Sequence, residues 1–456
     1  MQVTPQSSKD NLVRQLTFAP LFFIIVANMV GSGIFTTSGF IMKDVQNPSA
    51  MLLCWLFGGV LALAGALCYG ELGAMFPASG GDYVFLRESF GKRIAFLSGW
   101  ISLWVGFSAP IAAVAIAFGS YFSSALPNTF QSPAMSKILA VTVIALFTFV
   151  HAQGLSFGSR MNNFVTLIKI FIIIMFVGIG LTLGSGSIHN FKGQLSWAHM
   201  FSQNFATSLI FVSFAYSGWN ACVYLGSEIK NAERNIPASI ITATIFVIVM
   251  YLLVNVTYIY AVPPKTMSGV EEIGTLTASR LFGDTIGSFF GLAIAVCLLS
   301  SVSSMIMIGP RVYYAMAQDQ LFFKIFRGIN QRHHVPAYSI LLQSGIAIVL
   351  VLTSTFYAIL IYVGFLLAIF SSMTVLGMMI LRVKYPDRHR PYKTWGYPFT
   401  PILFVVGNLW IVIFSIQNNW LSFFWGMLTV VAGWIIYEYI EGRFKSIRRL
   451  PKRTIL

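Results

Sequence analysis

The sequence predicts an all-α membrane protein of twelve transmembrane helices, ten of them in a 5+5 inverted repeat whose first and sixth helices are discontinuous. Three observations predict it. Of the 456 residues, 57% are hydrophobic and 9% charged, whereas a soluble domain carries about 25% charged residues. Apolar stretches able to cross a bilayer, which takes roughly 20 residues, recur along the whole chain. Two of those stretches, five apart, carry polar, glycine-containing interruptions near their midpoints.

The stretches fall at 18–42, 48–76, 93–123, 136–152, 162–184, 204–228, 237–261, 286–315, 337–354, 357–381, 399–416 and 420–440. They divide the chain into an N-terminal segment (1–17), a first five-helix repeat (18–184), a second, inverted repeat (204–381), helices eleven and twelve (399–440) and a basic tail (441–456). The longest connections, near 185–203 and 262–285, have about twenty residues, so no soluble domain is expected. Twelve crossings return both termini to one side. Of 29 Lys and Arg residues, 23 fall on that side, five on the other (Lys43, Lys137, Lys192, Lys265, Arg280), and Lys169 lies inside a span. The positive-inside rule then places both termini in the cytoplasm, at a cell membrane that is the inner one if the source is bacterial. The net charge of +15 therefore reads as topology, with a tail, "GRFKSIRRLPKR", suited to anionic lipid. Nucleic acid is not an expected partner.

Other chemistries find no footing. Cys54, Cys68, Cys222 and Cys297 all fall within spans and match no metal site or redox pair, so neither metal, cofactor nor disulfide is expected. No P-loop sequence occurs, which argues against an ATP-driven pump. The first 17 residues are polar and are expected to hold no signal peptide. The Asn255 glycosylation triplet is inside a span, and the pair His333–His334 reads as a solvated inner-loop pair. An enzyme would need clustered His, Asp or Glu within the bundle, and a receptor an appended domain; neither is visible. No catalytic residue is assigned.

The first span carries "NMVGSGIFTTSGF" and the sixth "FAYSGWNA". Glycine costs about 1 kcal/mol relative to alanine inside a helix. Close helix packing would account for Gly31 and Gly33 singly, but their spacing is not the G-x-x-x-G of helix pairs. Interrupted helices at matching positions of two halves point to a midplane binding site in a secondary transporter. An unwound stretch bares N–H groups on one side and C=O groups on the other, and in lipid each must find a partner. The helix dipoles give those ends opposite partial charge. The carboxylate and ammonium of a free amino acid fit both.

Lys169 lies nine residues past Arg160, or roughly 13 Å along a helix, which is too deep for easy snorkelling. A cation there costs ~2.5–3.5 kcal/mol or more and marks a functional position. The open carbonyls of the first span are its natural acceptors.

At these residues the chain resembles the amino acid–polyamine–organocation superfamily, and within it the L-type amino acid transporter-like permeases. The likeness covers nearly the whole chain. "GSGIF" and "FAYSGWN" are similar to the family's two breaks, "EIKNAERNIPASI" to its inner loop after helix six, "GPRVYYAMAQDQLFF" to its helix-eight loop and "RPYKTWGYP" to its stretch before helix eleven. Gln318 and Gln320 depart from it, standing where relatives more often carry Arg and Gly. The resemblance implies a leucine-transporter-like fold and a substrate site at Met29, Gly31, Ser32, Gly33, Ile34, Phe214, Ala215, Ser217 and Gly218. The amides of Ser32, Gly33 and Ile34 would take the carboxylate. The carbonyls of Met29, Phe214 and Ser217 would take the amine, with Phe214 as a gate and the Ser217 side chain facing the side-chain pocket. Lys169 would stand in for a sodium ion and tie helices one, five and eight, with Ser300, Ser301, Ser303 or Ser304 as neighbours and Tyr251 joining the network. In animal relatives a cysteine after helix three links a glycoprotein partner; the loop "ALPNTFQSPAMSK" has none, so no disulfide-linked glycoprotein subunit is expected.

None of the 14 Asp and Glu residues lies near a span centre, which favours neutral substrates. Glu71 and Glu228 lie at inner helix ends, as partners for Arg87, Arg234 or Arg311. Ser217 in place of glycine hints at a small to medium side chain. The reading is a sodium-independent secondary transporter, an exchanger of neutral L-amino acids working by alternating access. Proton symport and carriage of cationic amino acids or polyamines are the alternatives.

Overall fold

The computed structural model describes residues 12–124, 132–193, 202–330, 335–418 and 420–448. The outer parts of both terminal segments, part of the loop "ALPNTFQSPAMSK" and the pair His333–His334 lie outside the described residues.

Helices account for the architecture, and among the described residues no strand forms beyond two isolated bridges. Helices α1 (Phe18–Met29) and α2 (Ser32–Val45) make one apolar rod, parted at Val30 and Gly31. Helix α3 (Pro48–Met75) starts on Asn47, whose side chain accepts from the Ala50 amide at 3.0 Å. Short α4 (Asp82–Phe90) is entered through Gly80 and Gly81, at φ 125° and 54°. Helix α5 (Lys92–Ile101) runs through a π-helical stretch, Ser102–Ser108, into α6 (Ala109–Ser124). Pro110, which has no N–H to give, sits just past that stretch and accounts for the local change of ladder. Then come α7 (Pro133–Ala152), α8 (Leu155–Thr182) and α9 (Gln203–Tyr216). After 3-10 turns at Ala221–Tyr224 and Gly226–Glu228 follow α10 (Ala232–Ala261), α11 (Ile273–Phe282), α12 (Asp284–Ile308) and α13 (Pro310–Gln318). The last are α14 (Ala337–Thr353), α15 (Phe356–Lys384), α16 (Phe399–Asn418) and α17 (Trp420–Arg448).

Among the described residues, nine helices are long and apolar enough to cross a membrane, counting Phe18–Val45 as one; Ala337–Thr353 and Phe399–Phe414 are apolar but shorter. The protein is thus a multi-pass membrane protein. The sixth stretch differs from expectation. Its α-helix stops at Tyr216, and Gly218 at φ 95° turns the chain into 3-10 turns rather than a second α-helical half.

Depth in the bundle is uneven. In the apolar 18-residue stretch of Lys92–Ser124, 83% of residues are buried, against 17% in that of Trp420–Glu441, so the former is an inner wall and the latter lies at the surface of the bundle. The rod α1–α2 packs against α8, α9, α10 and α12 at the centre. Its two halves therefore meet several elements that carry polar side chains.

Candidate functional site

The first break spans two residues. Val30 leaves the helix at φ −79°, ψ 74°, and Gly31 is extended at φ −108°, ψ −152°. No side chain caps α2. Of the four hydroxyls in the motif, three turn away: Thr36 donates to the Ser32 carbonyl and Thr37 to that of Gly33, each at 2.7 Å, and Ser38 to Asn255 Oδ1 at 2.7 Å. Of the four, Ser32 Oγ is the one buried without a hydrogen-bond partner among the described residues. A threonine in a helix satisfies its hydroxyl on the carbonyl four residues back.

Lys169 is completely buried on α8. Its Nζ donates to the Val30 carbonyl, to Ser301 Oγ at 2.8 Å and to the Ala27 carbonyl at 3.4 Å. Ser301 itself donates to the Val30 carbonyl at 2.9 Å. One ammonium thus joins α8, α12 and the open end of α1. The other three serines point elsewhere. Ser300 bonds the Cys297 carbonyl at 3.0 Å, and Ser303 faces His151 Nε2 at 2.9 Å. Ser304 accepts from Asn28 Nδ2 and donates to the Ile24 carbonyl at 3.3 Å.

The two breaks touch each other. Tyr251 on α10 lies within hydrogen-bond reach of two carbonyls, Met29 at 2.6 Å and Ala215 at 3.0 Å. A Cβ on Gly33 would meet Ala215 Cα at 2.5 Å, and one on Gly218 would meet Asn28 Cβ at 2.8 Å. Backbone-to-backbone approach explains glycine at both positions, and the positive φ of Gly218 adds a second reason. A Cβ at Gly31, by contrast, would find only ordinary contacts, Val114 at 3.5 Å and Ser301 at 3.7 Å. The Phe214 carbonyl accepts from the Ser217 amide at 3.0 Å and the Ser217 hydroxyl at 2.6 Å.

Beside the breaks lies a cavity of about 120 Å³, walled by α3, α5–α6, α9, α12, α15 and α16. Ser217, Gly218 and Trp219 line it, with Asn28, Phe107 and Met305. Met29, Gly31, Ser32, Gly33, Ile34, Phe214 and Ala215 do not. The structure brings these residues together at the contact between the rod and α9, where Gly33 abuts Ala215, but turns them away from this cavity. Phe214 is buried and does not line the cavity.

An aromatic layer and a charged layer flank this centre. At one end, Phe40 (α2), Phe211 (α9) and Tyr357 (α15) cluster in tilted and edge-on contacts, with centroids 5.7, 5.8 and 5.9 Å apart. At the other, which also holds the N-terminal segment through Leu16 and Ile229, lie the charges. Arg311 and Glu228, each with a side chain 1% exposed, pair at 2.9 Å, as one sequence option had it. Glu71 instead meets Arg382 at 2.5 Å and Arg390 at 3.4 Å, and accepts from Thr394; Arg87 turns to Asp319 and Glu88. The expected partners of Glu71 were wrong because α15 and the stretch before α16 fold back over α3, a long-range contact no local spacing reveals. Gln320 takes a left-handed turn at φ 61°.

Three functional candidates escaped the sequence reading. Asn28, within the quoted motif, binds Ser304 and the Ile24 carbonyl. His151 is buried against Ser303. Asp82, just after the two glycines, is buried in the cavity wall and held by hydroxyls. Burial raises its pKa, while the hydrogen bonds from Tyr224, Tyr69 and Thr374 act the other way. A polar residue beside a helix break and an acid after a double glycine were the signals available.

Sequence comparison gives the family. The model of the amino acid permease family matches residues 16–437. The chain belongs to the amino acid permease family. It is 29% identical over 441 residues to the b(0,+)-type amino acid transporter 1 of Mus musculus, covering 94% of this chain and 88% of that one. It is 27% identical over 444 residues to the serine/threonine exchanger SteT of Bacillus subtilis, covering 96% and 100%. With the large neutral amino acids transporter small subunit 2 of Homo sapiens it shares 26% over 425 residues, covering 91% and 78%. This permease is a transmembrane protein of amino acid transport, in the amino acid–polyamine–organocation superfamily.

Proposed function

We propose that the permease is a sodium-independent exchanger of neutral L-amino acids that alternates access around its two broken helices. In this reading the chain crosses the membrane twelve times with both termini cytoplasmic, residues 18–184 and 204–381 form the inverted repeats, and no disulfide-linked subunit is required. The observation that carries it is Lys169. A buried ammonium on the Val30 and Ala27 carbonyls and on Ser301 is a tethered cation where the opened helix end attracts one. It makes a soluble cation redundant there.

The substrate's carboxylate would rest on the amides of Ser32, Gly33 and Ile34 and its amine on the carbonyls of Met29, Phe214 and Ser217, with Gly31, Ala215 and Gly218 giving the backbone room. Because Gly33 rests on Ala215, that cradle opens when the rod and α9 part. Tyr251 would hinge the two breaks. Two further points support neutral exchange. Asp82 is the one carboxylate lining the cavity, and it is engaged by neutral donors. Relatives over most of the chain carry the names serine/threonine exchanger and large neutral amino acids transporter.

Counterflow in proteoliposomes preloaded with one amino acid, screened against all twenty, tests the reading. Uptake of neutral amino acids that needs the internal load supports it. Arginine competing as well as alanine or leucine, or equal uptake into empty vesicles, overturns it.

A further inference from the structure

We propose that Asp82 is a proton-binding site that latches the termini-bearing end of the cavity, and that its protonation releases the latch. The inference rests on the alternating-access reading, since a latch matters only if that end opens.

The geometry carries it. Asp82 begins α4, between the spans, and is 8% exposed. Its two oxygens collect donors from three separate elements. Oδ1 accepts from Tyr69 on α3 and from Thr374 on α15 at 2.8 Å. Oδ2 accepts from Tyr224 at 2.5 Å and Asn220 Nδ2 at 3.4 Å, both on the stretch that follows the break in the sixth span. No cation pairs with it among the described residues. Arg87 and Tyr83, on its own helix, are both committed to Asp319. From α5, Ser98 lines the same cavity, and from α12 it is Met305. Tyr313 of α13 reaches Ser102 and Gln343 instead. Tyrosines apart, Asp82 is the group there that can change charge.

A buried carboxylate without a counter-ion is costly as an anion and holds here only because four donors face it. Those donors bind the anion far better than the acid, which must itself donate and so gives up one acceptor site. The stretch bearing Asn220 and Tyr224 adjoins Ser217 and Gly218 in the cavity wall, so any swing of that stretch pulls both donors from Asp82. A proton on Asp82 weakens what the swing must break. Burial raises the pKa of Asp82 toward the range where that proton can bind.

The test is counterflow by the full chain in liposomes clamped at equal pH on both sides, from pH 5 to 8. Wild type is expected to speed up about tenfold as pH falls through one titration, and Asp82→Asn to show a flat profile near the acid limit. Tyr224→Phe, which removes one donor to the anion, should move the wild-type midpoint to higher pH. Wild-type exchange that does not vary with pH, an Asp82→Asn profile that matches wild type, or an unmoved midpoint in Tyr224→Phe would overturn the latch. If Asp82→Asn does not fold, the Tyr224→Phe midpoint decides alone. Absence of any wild-type counterflow would sink the transport reading instead, and the two failures are thereby distinct.

Discussion

Tyr251 and Met29 form the joint at which the two broken helices meet: the Tyr251 hydroxyl lies 2.6 Å from the Met29 carbonyl while also sitting 3.0 Å from that of Ala215. One side chain on a continuous helix therefore spans both interruptions. Its ring is held by Trp55 and Tyr216, at centroid distances of 5.3 and 5.0 Å, so the hydroxyl is fixed in place.

Tyr251→Phe keeps that ring and removes the hydroxyl. It should cost about 0.5–1.5 kcal/mol of stability for the lost bond, or more where a carbonyl is left unpaired. Thermal unfolding in detergent reads this directly. Transport should fall further than stability does, because the two breaks lose their common tie; a variant with wild-type unfolding and turnover would refute the joint.

Gly33→Ala places a Cβ 2.5 Å from Ala215 Cα, which side-chain rotation cannot relieve. Gly31→Ala meets only ordinary contacts. Counterflow should therefore fall much more in Gly33→Ala than in Gly31→Ala. The reverse order would mean that the rod and α9 do not close on each other during the cycle.

Glu228→Gln strips the charge from a pair whose Arg311 is almost wholly buried. Breaking a buried pair on one side costs about 3–5 kcal/mol. Replacing both partners with apolar residues should recover part of that loss, which a double-mutant cycle on unfolding free energies would measure. Strict additivity would show that the two groups do not act as a pair.

Much of this molecule is legible in its sequence. Apolar runs set the helices, because in lipid a helix is the way a lone segment satisfies its own backbone. Glycine and small polar residues at the middle of two runs marked Val30–Gly31 and Ser217–Gly218 as breaks, and a lysine at Lys169 announced a buried cation. What stayed hidden was relational. Nothing local says that Ser301, rather than Ser300 or Ser304, turns toward Lys169, since all three share one turn of α12 and helix rotation decides. Nor does spacing reveal that Arg382, 311 positions from Glu71, is its partner. Asp82 was invisible for the same reason, as its four donors come from residues scattered between Tyr69 and Thr374.

Lys169→Ala should reach the membrane in normal amount yet exchange at least about tenfold more slowly, because the Val30 carbonyl and Ser301 lose a charged donor in a dry setting. Expression and turnover, measured together on the same vesicles, check both halves. Normal turnover would reduce the lysine to packing.

The most direct measurement is amino acid exchange into preloaded proteoliposomes with all sodium replaced by choline. The account predicts an unchanged rate, since the ammonium of Lys169 already occupies the carbonyls of the opened first helix. A rate that collapses in choline and returns with sodium would contradict it.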